Sequence, residues 1–188
     1  MAFRSPFTSP DRLQRPWLAF LEPMRACGGL GFLVPFAALV AIQLGHLGEH
    51  VAQMVQIHLL DRTPAEARGV VGQPDLEWTH FLWNVGVLVA VLALLRPAPR
   101  NAWLWLTVLV AGWHTAEHAV ILFAHLRDGV MGDPGLLAKG GRIAGGLSLR
   151  RPELHFLYNV IETAPLVVAY LVEVSRVRRQ AFGRVAPA

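Results

Sequence analysis

Residues 85–95 read VGVLVAVLALL, an apolar run with no polar side chain at any helical position. A surface helix of a soluble bundle carries a polar stripe that faces water, and this run has none. The surrounding segment, residues 78–95, contains no Asp, Glu, Lys or Arg. Since about 20 mostly apolar residues cross the hydrocarbon core of a bilayer, the run predicts a membrane-spanning helix.

Three further segments have the same character. Residues 26–48 carry no formal charge, residues 101–126 carry only Glu117, and residues 154–172 carry only Glu162. Only 16% of the 188 residues are charged, against about 25% in soluble domains. The predicted fold class is therefore an all-α integral membrane four-helix bundle. We expect its helices at about 31–60, 77–96, 101–126 and 153–177.

The distribution of Lys and Arg predicts the orientation of the bundle, because cytoplasmic loops of membrane proteins are enriched in these residues. Ten of the 17 lie in the N-terminal segment, the second loop and the C-terminal tail, and the other seven lie in the first and third loops. This favours both termini in the cytoplasm, in a bacterial-type inner or plasma membrane. Residues 11–26 mix Arg with Trp, Leu and Phe, which is typical of a short helix on the membrane surface.

Composition excludes several other classes of protein. The lone Cys27 excludes intramolecular disulfides, CxxC redox pairs and thiolate metal cages. The basic residues, which give a pI of about 10.2, form no stripe with interleaved aromatic side chains, so no nucleic-acid partner is expected. The first apolar run begins late and continues as a full span, so we expect no signal peptide.

Six of the eight histidines belong to two pairs of matching motifs. HLGEH at 46–50 matches HTAEH at 114–118, and HFLWN at 80–84 matches HFLYN at 155–159. The offsets are 68 and 75 residues, which predicts an internal duplication. We expect two parallel two-helix hairpins related by a pseudo-two-fold axis along the membrane normal. The predicted organisation is an interfacial segment (1–28), repeat 1 (29–97), repeat 2 (98–177, with a flexible or surface-wrapping Gly-rich third loop at 127–152) and a basic tail (178–188).

Helical geometry places the polar residues of these motifs on shared faces. A helix turns about 100° per residue, so the His, Glu and His of each HxxEH motif fall on one face, and His80 shares a face with Asn84, as His155 does with Asn159. His125 stays near the stripe of its helix, whereas His58 drifts about 120° away. The predicted metal ligands are His46, Glu49, His50, His80, His114, Glu117, His118, His125 and His155, with Asn84 and Asn159 as outer-shell donors.

Glu162 has no counterpart in the first half, where Val87 occupies the matching position. A carboxylate inside a membrane span is costly and commonly functional, so we expect Glu162 to be an extra ligand or the proton-handling catalytic group. The alternative is a protonated side chain that hydrogen-bonds a carbonyl freed by a kink at Pro165.

Imidazole and carboxylate together suit iron, zinc, manganese or copper. Soluble di-iron bundles use inward-facing carboxylates and Glu/His pairs, and the His-rich pattern here is similar in ligand type to membrane di-iron oxygenases and desaturases. Their HxxxH and HxxHH boxes are matched only by the spacings His46/His50 and His114/His118, so the chain is not assigned to that family. The predicted function is a dinuclear metalloprotein, with iron ahead of zinc or copper, acting as an oxidoreductase on a lipophilic or small substrate.

Several alternatives remain open at this point. A membrane histidine often serves only as a hydrogen-bond partner between helices, and His58 or His125 would be solvated at an interface. HxxEH alone also matches the inverzincin protease signature. Two facing histidines would suit a b-type haem, and paired Glu and His would suit a proton or metal-ion pathway. An accessory subunit of a larger membrane complex, or a chain served by a redox partner, is a further alternative.

Overall fold

Four long helices make up the computed structural model, which describes residues 30–71, 77–129 and 131–183. They are α1 (Leu30–His58), α2 (Glu77–Leu95), α3 (Ala102–Asp128) and α4 (Arg151–Gly183). All four are long and apolar enough to cross a membrane; the shortest, with 19 residues, is about 28 Å long at 1.5 Å per residue. For the described residues, the prediction of an all-α fold with four helices long and apolar enough to span a membrane is confirmed. The predicted surface helix at 11–26 and residues 184–188 of the tail lie outside the described residues.

The helix ends differ little from those predicted, except in α4. This helix begins two residues early, with Pro152 in its first turn, and runs six residues past the predicted end. Proline is tolerated in a first turn because its missing N–H would have no helical partner there. α4 also continues as one helix through Pro165.

The helices do not contact one another equally. α1 packs along α4, α2 along α3, and α3 along α4, whereas α1 and α2 scarcely touch. The first sequence hairpin is therefore open and the second is closed. We call the end that carries the described loop residues 59–71 and 131–150 the loop end, and the end that carries the 96–101 connection the turn end.

Large apolar side chains cover the outside of the bundle. Leu109 is 71% exposed, Val34 70% and Phe123 64%. In water such exposure would be unfavourable, but hydrocarbon is as apolar as these side chains. The outer surface therefore fits a lipid environment.

An apolar core fills the turn end. Its buried members are Phe32, Phe36, Leu39, Val40, Val87, Val91, Leu94, Leu95, Ala98, Leu104, Leu166 and Ala169. Asn101 fixes the short connection beside this core, since its Oδ1 accepts from the amides of Trp103 and Leu104 and its Nδ2 donates to Ala169 O and Glu173 Oε1. The polar residues of the HxxEH, HFLWN and HFLYN motifs lie toward the opposite end, the loop end.

The third loop folds as a series of turns over residues 131–150, with a bridge between Gly141 and Gly145. Asp133 Oδ1 accepts from the amide of Gly135 and from Arg142 Nη1, at 2.8 and 2.6 Å. The hydrogen bond from the Arg142 guanidinium lowers the pKa of Asp133. The glycines thus support tight turns that are bonded internally.

A buried ion pair joins the first turns of α2 and α4. Arg151 Nη1 donates to Glu77 Oε1 at 2.7 Å, and Arg151 Nη2 contacts the second oxygen. The Glu77 side chain is 2% exposed and that of Arg151 19%. The amide of Gly132 also lies 3.3 Å from Glu77 Oε1, so this carboxylate holds the third loop as well.

Removing the cation of this pair should destabilise the bundle. Loss of one partner leaves a buried charge without compensation, and we expect Arg151→Met to lower the free energy of unfolding by about 3 kcal/mol. The matched control is Arg127→Met, because the Arg127–Asp128 pair is 61% and 43% exposed and such pairs contribute about 0–1 kcal/mol. Unfolding in mixed micelles measures the free energy of unfolding of both variants. Equal decreases in the two variants would contradict a structural role for the buried pair.

Candidate metal centre

Six of the eight histidines meet at the loop end of the bundle, from all four helices. His114 and His118 of α3 and His155 of α4 form the tighter half. Their ring centroids lie 4.9 Å (His114–His118), 4.6 Å (His118–His155) and 5.7 Å (His114–His155) apart. One ligand nitrogen from each lies within 4.8 Å of the others. We call these three residues the α3/α4 triad.

The equivalent residues of the first hairpin, His46, His50 and His80, form a looser group that we call the α1/α2 triad. His46 and His50 lie 4.8 Å apart between ring centroids, but His80 is 6.4 and 6.5 Å from them. The cause is the open hairpin, because α2 follows α3 rather than α1. His80 accordingly stacks on His118, with ring centroids 5.5 Å apart and planes 7° from parallel.

The α3/α4 triad is buried, with exposures of 1%, 1% and 5% for His114, His118 and His155. Among the described residues, Nε2 of each ring has no hydrogen-bond partner. For His155 the other nitrogen is engaged, since Nδ1 lies 2.8 Å from Arg151 O. A carbonyl only accepts, so His155 carries its proton on Nδ1 and has a lone pair on Nε2. This triad is chemically able to hold a metal ion.

A chain of hydrogen bonds with one side chain from each of the four helices ends at the ring of His114. His114 Nδ1 lies 2.9 Å from Glu162 Oε2, Glu162 Oε1 accepts from Gln43 Nε2 at 2.9 Å, and Gln43 Oε1 accepts from Trp83 Nε1 at 3.3 Å. Gln43, His114 and Glu162 are 0–1% exposed. Both oxygens of Glu162 are thus engaged by neighbouring side chains, and its predicted role as an extra ligand or catalytic group stays a prediction.

The two asparagines have identical contacts in the two hairpins. Asn84 Nδ2 donates to His80 O at 2.9 Å, and Asn159 Nδ2 donates to His155 O at 2.9 Å. Each asparagine therefore contacts the backbone of the histidine one turn earlier. In this way they position the histidine-bearing turns of α2 and α4.

Glu49 and Glu117, predicted as ligands, direct carboxylate oxygens to the loops. Glu49 Oε2 accepts from the amides of Val70 and Val71 at 2.8 and 3.1 Å. Glu117 Oε1 accepts from the amides of two loop residues, Leu136 and Leu137, at 2.8 and 3.4 Å.

A glycine with positive φ lies against each carboxylate. Gly69 has φ +73° and Gly135 φ +70°, and a Cβ at either would be 2.3 Å from a carboxylate oxygen. Within the described chain, Glu117 Oε2 is buried without a hydrogen-bond partner. Metal ligation by either glutamate stays a prediction, while their contact with the loops is what the geometry shows.

The other two histidines lie away from the six. His58 is half exposed at the end of α1, with Nε2 3.5 Å from Glu153 Oε1, in agreement with its predicted departure from the face. His125 lies in the last turn of α3, seven residues and therefore about 10 Å along the axis from His118. Its role as a ligand stays a prediction.

A cavity of about 410 Å³ opens between the two loops and reaches the histidines. His50, His80, His118 and His155 contribute to its wall. The loop side is formed by Pro64, Ala65, Ala67, Arg68, Gly69, Met131 and Gly132, together with Arg151 and Pro152 of α4 and Glu49 and Gln53 of α1. A molecule in this cavity would contact imidazoles of both triads.

Comparison of this chain with protein-family models, with curated proteins and with solved structures finds no match. The arrangement of side chains therefore carries the functional argument alone.

Sequence reasoning missed two important side chains, Gln43 and Trp83. Gln43 had a detectable signal, because it is a polar residue in an uncharged span and lies three positions before His46, on nearly the same helix face. Trp83 lies inside the HFLWN motif, but its indole N–H matters only through Gln43 on another helix. Such a partnership depends on where two long side chains of different helices meet in the folded bundle, and it has no local sequence signal.

Alanine at position 135 should disturb the contact between Glu117 and the third loop. A side chain at positive φ costs about 1–2 kcal/mol, and here the added Cβ would also lie 2.3 Å from a buried carboxylate oxygen. Gly132→Ala is the matched control, because that residue has φ +82° and nothing within 4 Å of an added Cβ. We expect the first variant to be less stable by about a further 2 kcal/mol, measured as the free energy of unfolding together with protease cleavage in 131–150. Similar losses in both variants would show that the carboxylate contact contributes little.

Proposed function

We propose that this chain is an integral membrane metalloprotein that holds a transition-metal ion on His114, His118 and His155. The observation that carries the proposal is the α3/α4 triad itself, three buried imidazoles with ligand atoms within 4.8 Å of one another. Buried nitrogens without partners are costly in an apolar surrounding, and an ion would engage their lone pairs. Three imidazoles with an open fourth position are also the ligand set of catalytic zinc in some enzymes, and imidazole suits copper and iron as well.

We extend the proposal to a second ion on His46, His50 and His80. The sequence offsets of 68 and 75 residues map the α3/α4 triad onto these residues one by one, which supports a duplicated hairpin. The packing of α1 on α4 and of α2 on α3 is what a two-fold relation between parallel repeats would generate. A shared site of two ions is the dinuclear centre proposed for this protein.

The cavity at the loop end supports an enzyme acting on a small or lipophilic molecule. Its volume of about 410 Å³ falls in the range of small-molecule pockets. His118 and His155 belong both to the triad and to the cavity wall, so a bound molecule would lie beside residues that would hold the ion. Iron is our first choice of metal, with copper or zinc next, and a redox-active ion would make the protein an oxidoreductase.

Transport of ions or protons is the competing function. The residues described at the turn end argue for a bound ion instead, because twelve buried apolar side chains fill the bundle there. We place the loop end outside a bacterial-type inner membrane, with both termini in the cytoplasm, on the distribution of Lys and Arg. Under this proposal the site is reached from the outer face, and a redox partner or a larger membrane complex would bind there.

Purified protein should contain one or two transition-metal ions per chain. Replacement of two triad ligands, in His118→Ala/His155→Ala, should remove at least one ion. His58→Ala is the control, because this half-exposed histidine lies outside the six, and its metal content should equal that of the wild type. Metal analysis by mass spectrometry provides the measurement, and unchanged content in the double variant would refute the proposed site.

The protein should show no Soret band when it is purified from cells supplied with haem precursors. The stacking of His80 directly on His118, with planes 7° from parallel, leaves no room for a porphyrin between these rings. An optical spectrum provides the test. A stoichiometric haem spectrum that disappears in His50→Ala or His118→Ala would instead identify an electron carrier.

A further inference from the structure

The hydrogen-bond chain Trp83–Gln43–Glu162–His114 has a fixed direction. An indole N–H only donates, so the amide oxygen of Gln43 must face Trp83, at 3.3 Å. The Gln43 NH₂ group then faces Glu162 Oε1, at 2.9 Å. The donor-only indole thereby sets the orientation of a buried amide two contacts away from His114.

Glu162 is consequently an acceptor for Gln43, and its other oxygen lies 2.9 Å from His114 Nδ1. An ionised carboxylate accepts at both oxygens, and with Glu162 in that form the proton of His114 lies on Nδ1. The lone pair of His114 then lies on Nε2, the nitrogen that has no partner among the described residues. A carboxylate that hydrogen-bonds the distal nitrogen of a metal-binding histidine fixes the ring and raises its basicity.

The α1/α2 triad has no equivalent of the Gln43–Glu162 pair. At the repeat offsets, Gln43 corresponds to Ala111 and Glu162 to Val87, and both of these apolar residues are buried. His46, the counterpart of His114, has Trp83 beside it, with ring centroids 4.8 Å apart, just as His114 has Tyr158 at 5.1 Å. The α1/α2 triad is also the looser one, with His80 6.4 Å from His46 between ring centroids.

We propose that Glu162, Gln43 and Trp83 are positioning residues that make the α3/α4 triad the high-affinity metal site. The α1/α2 triad is then the weaker site, and the two fill in sequence. This inference rests on the proposed metal function and adds an order of filling and a cause for it. Glu162 acts through His114 rather than as a ligand of its own.

The experiment is a titration of the metal-free, full-length protein in detergent with Co²⁺, followed by its visible spectrum and by competition with Zn²⁺. We expect one tight and one weaker binding phase in the wild type, the first lost in His114→Ala and the second in His46→Ala. Glu162→Gln should weaken the tight phase by about 10- to 100-fold, change its Co²⁺ spectrum and leave the weaker phase in place. An amide at this position presents a donor either to Gln43 or to His114, which disrupts the chain.

Glu173→Gln is the matched control, because it is the same substitution on the same helix at a residue 3% exposed and bonded to Asn101 at the turn end. It should leave both binding phases unchanged. Trp83→Phe keeps an aromatic ring but removes the donor that orients Gln43. Trp83→Phe should weaken the tight phase by a smaller factor than Glu162→Gln does. If Glu162→Gln does not fold, the result for Trp83→Phe decides whether the hydrogen-bond chain has a positioning role.

The possible results separate the two proposals. A wild-type protein that binds no ion would overturn the metal function and this inference together. Metal binding that is lost in His114→Ala but unaffected by Glu162→Gln and Trp83→Phe would overturn only the positioning role. Equal weakening of both phases in Glu162→Gln would overturn the difference between the two triads.

Discussion

The absence of water from a bilayer core requires every polar atom there to find its partner within the protein. Most of the polar side chains at the loop end meet this requirement visibly. Asn84 and Asn159 bond carbonyls one turn back, Glu49 bonds two loop amides, and Glu162 bonds Gln43 and His114. Within the described residues the main exceptions are imidazole nitrogens. In the described part of the chain, buried nitrogens of His114, His118 and His155 therefore lie close together without hydrogen-bond partners. Single buried oxygens of Glu117, Glu153 and Asn159 also have no partner there.

Charge and hydropathy along the chain were sufficient to predict the four helices, because crossing a bilayer imposes length and composition on each span. The angular rule for helices also predicted which histidines share a face, and it separated His58 from the others. These features depend on one helix at a time. They are recoverable from sequence for that reason.

The hydrogen-bond partners of Glu49 and Glu117 could not be predicted in the same way. Helical angle gives the side of the helix on which a residue lies, but not the direction of its carboxylate along the axis. Both side chains bond loop amides beside Gly69 and Gly135, and the path of these loops follows from no periodicity. The sequence also did not predict that the helices of the second hairpin pack together while those of the first scarcely touch. Matching motifs predict equivalent helices, not a difference in the contacts between them.

The direction of the Trp83–Gln43–Glu162–His114 chain has a consequence for proton conduction. A Grotthuss wire needs every member to accept a proton on one side while it releases one on the other. The indole nitrogen of Trp83 has no lone pair available for this exchange, and Glu162 accepts from both of its neighbours. Protons therefore have no route along this chain across the bundle, although it touches all four helices. The chain of hydrogen bonds instead holds the imidazole of His114 in place.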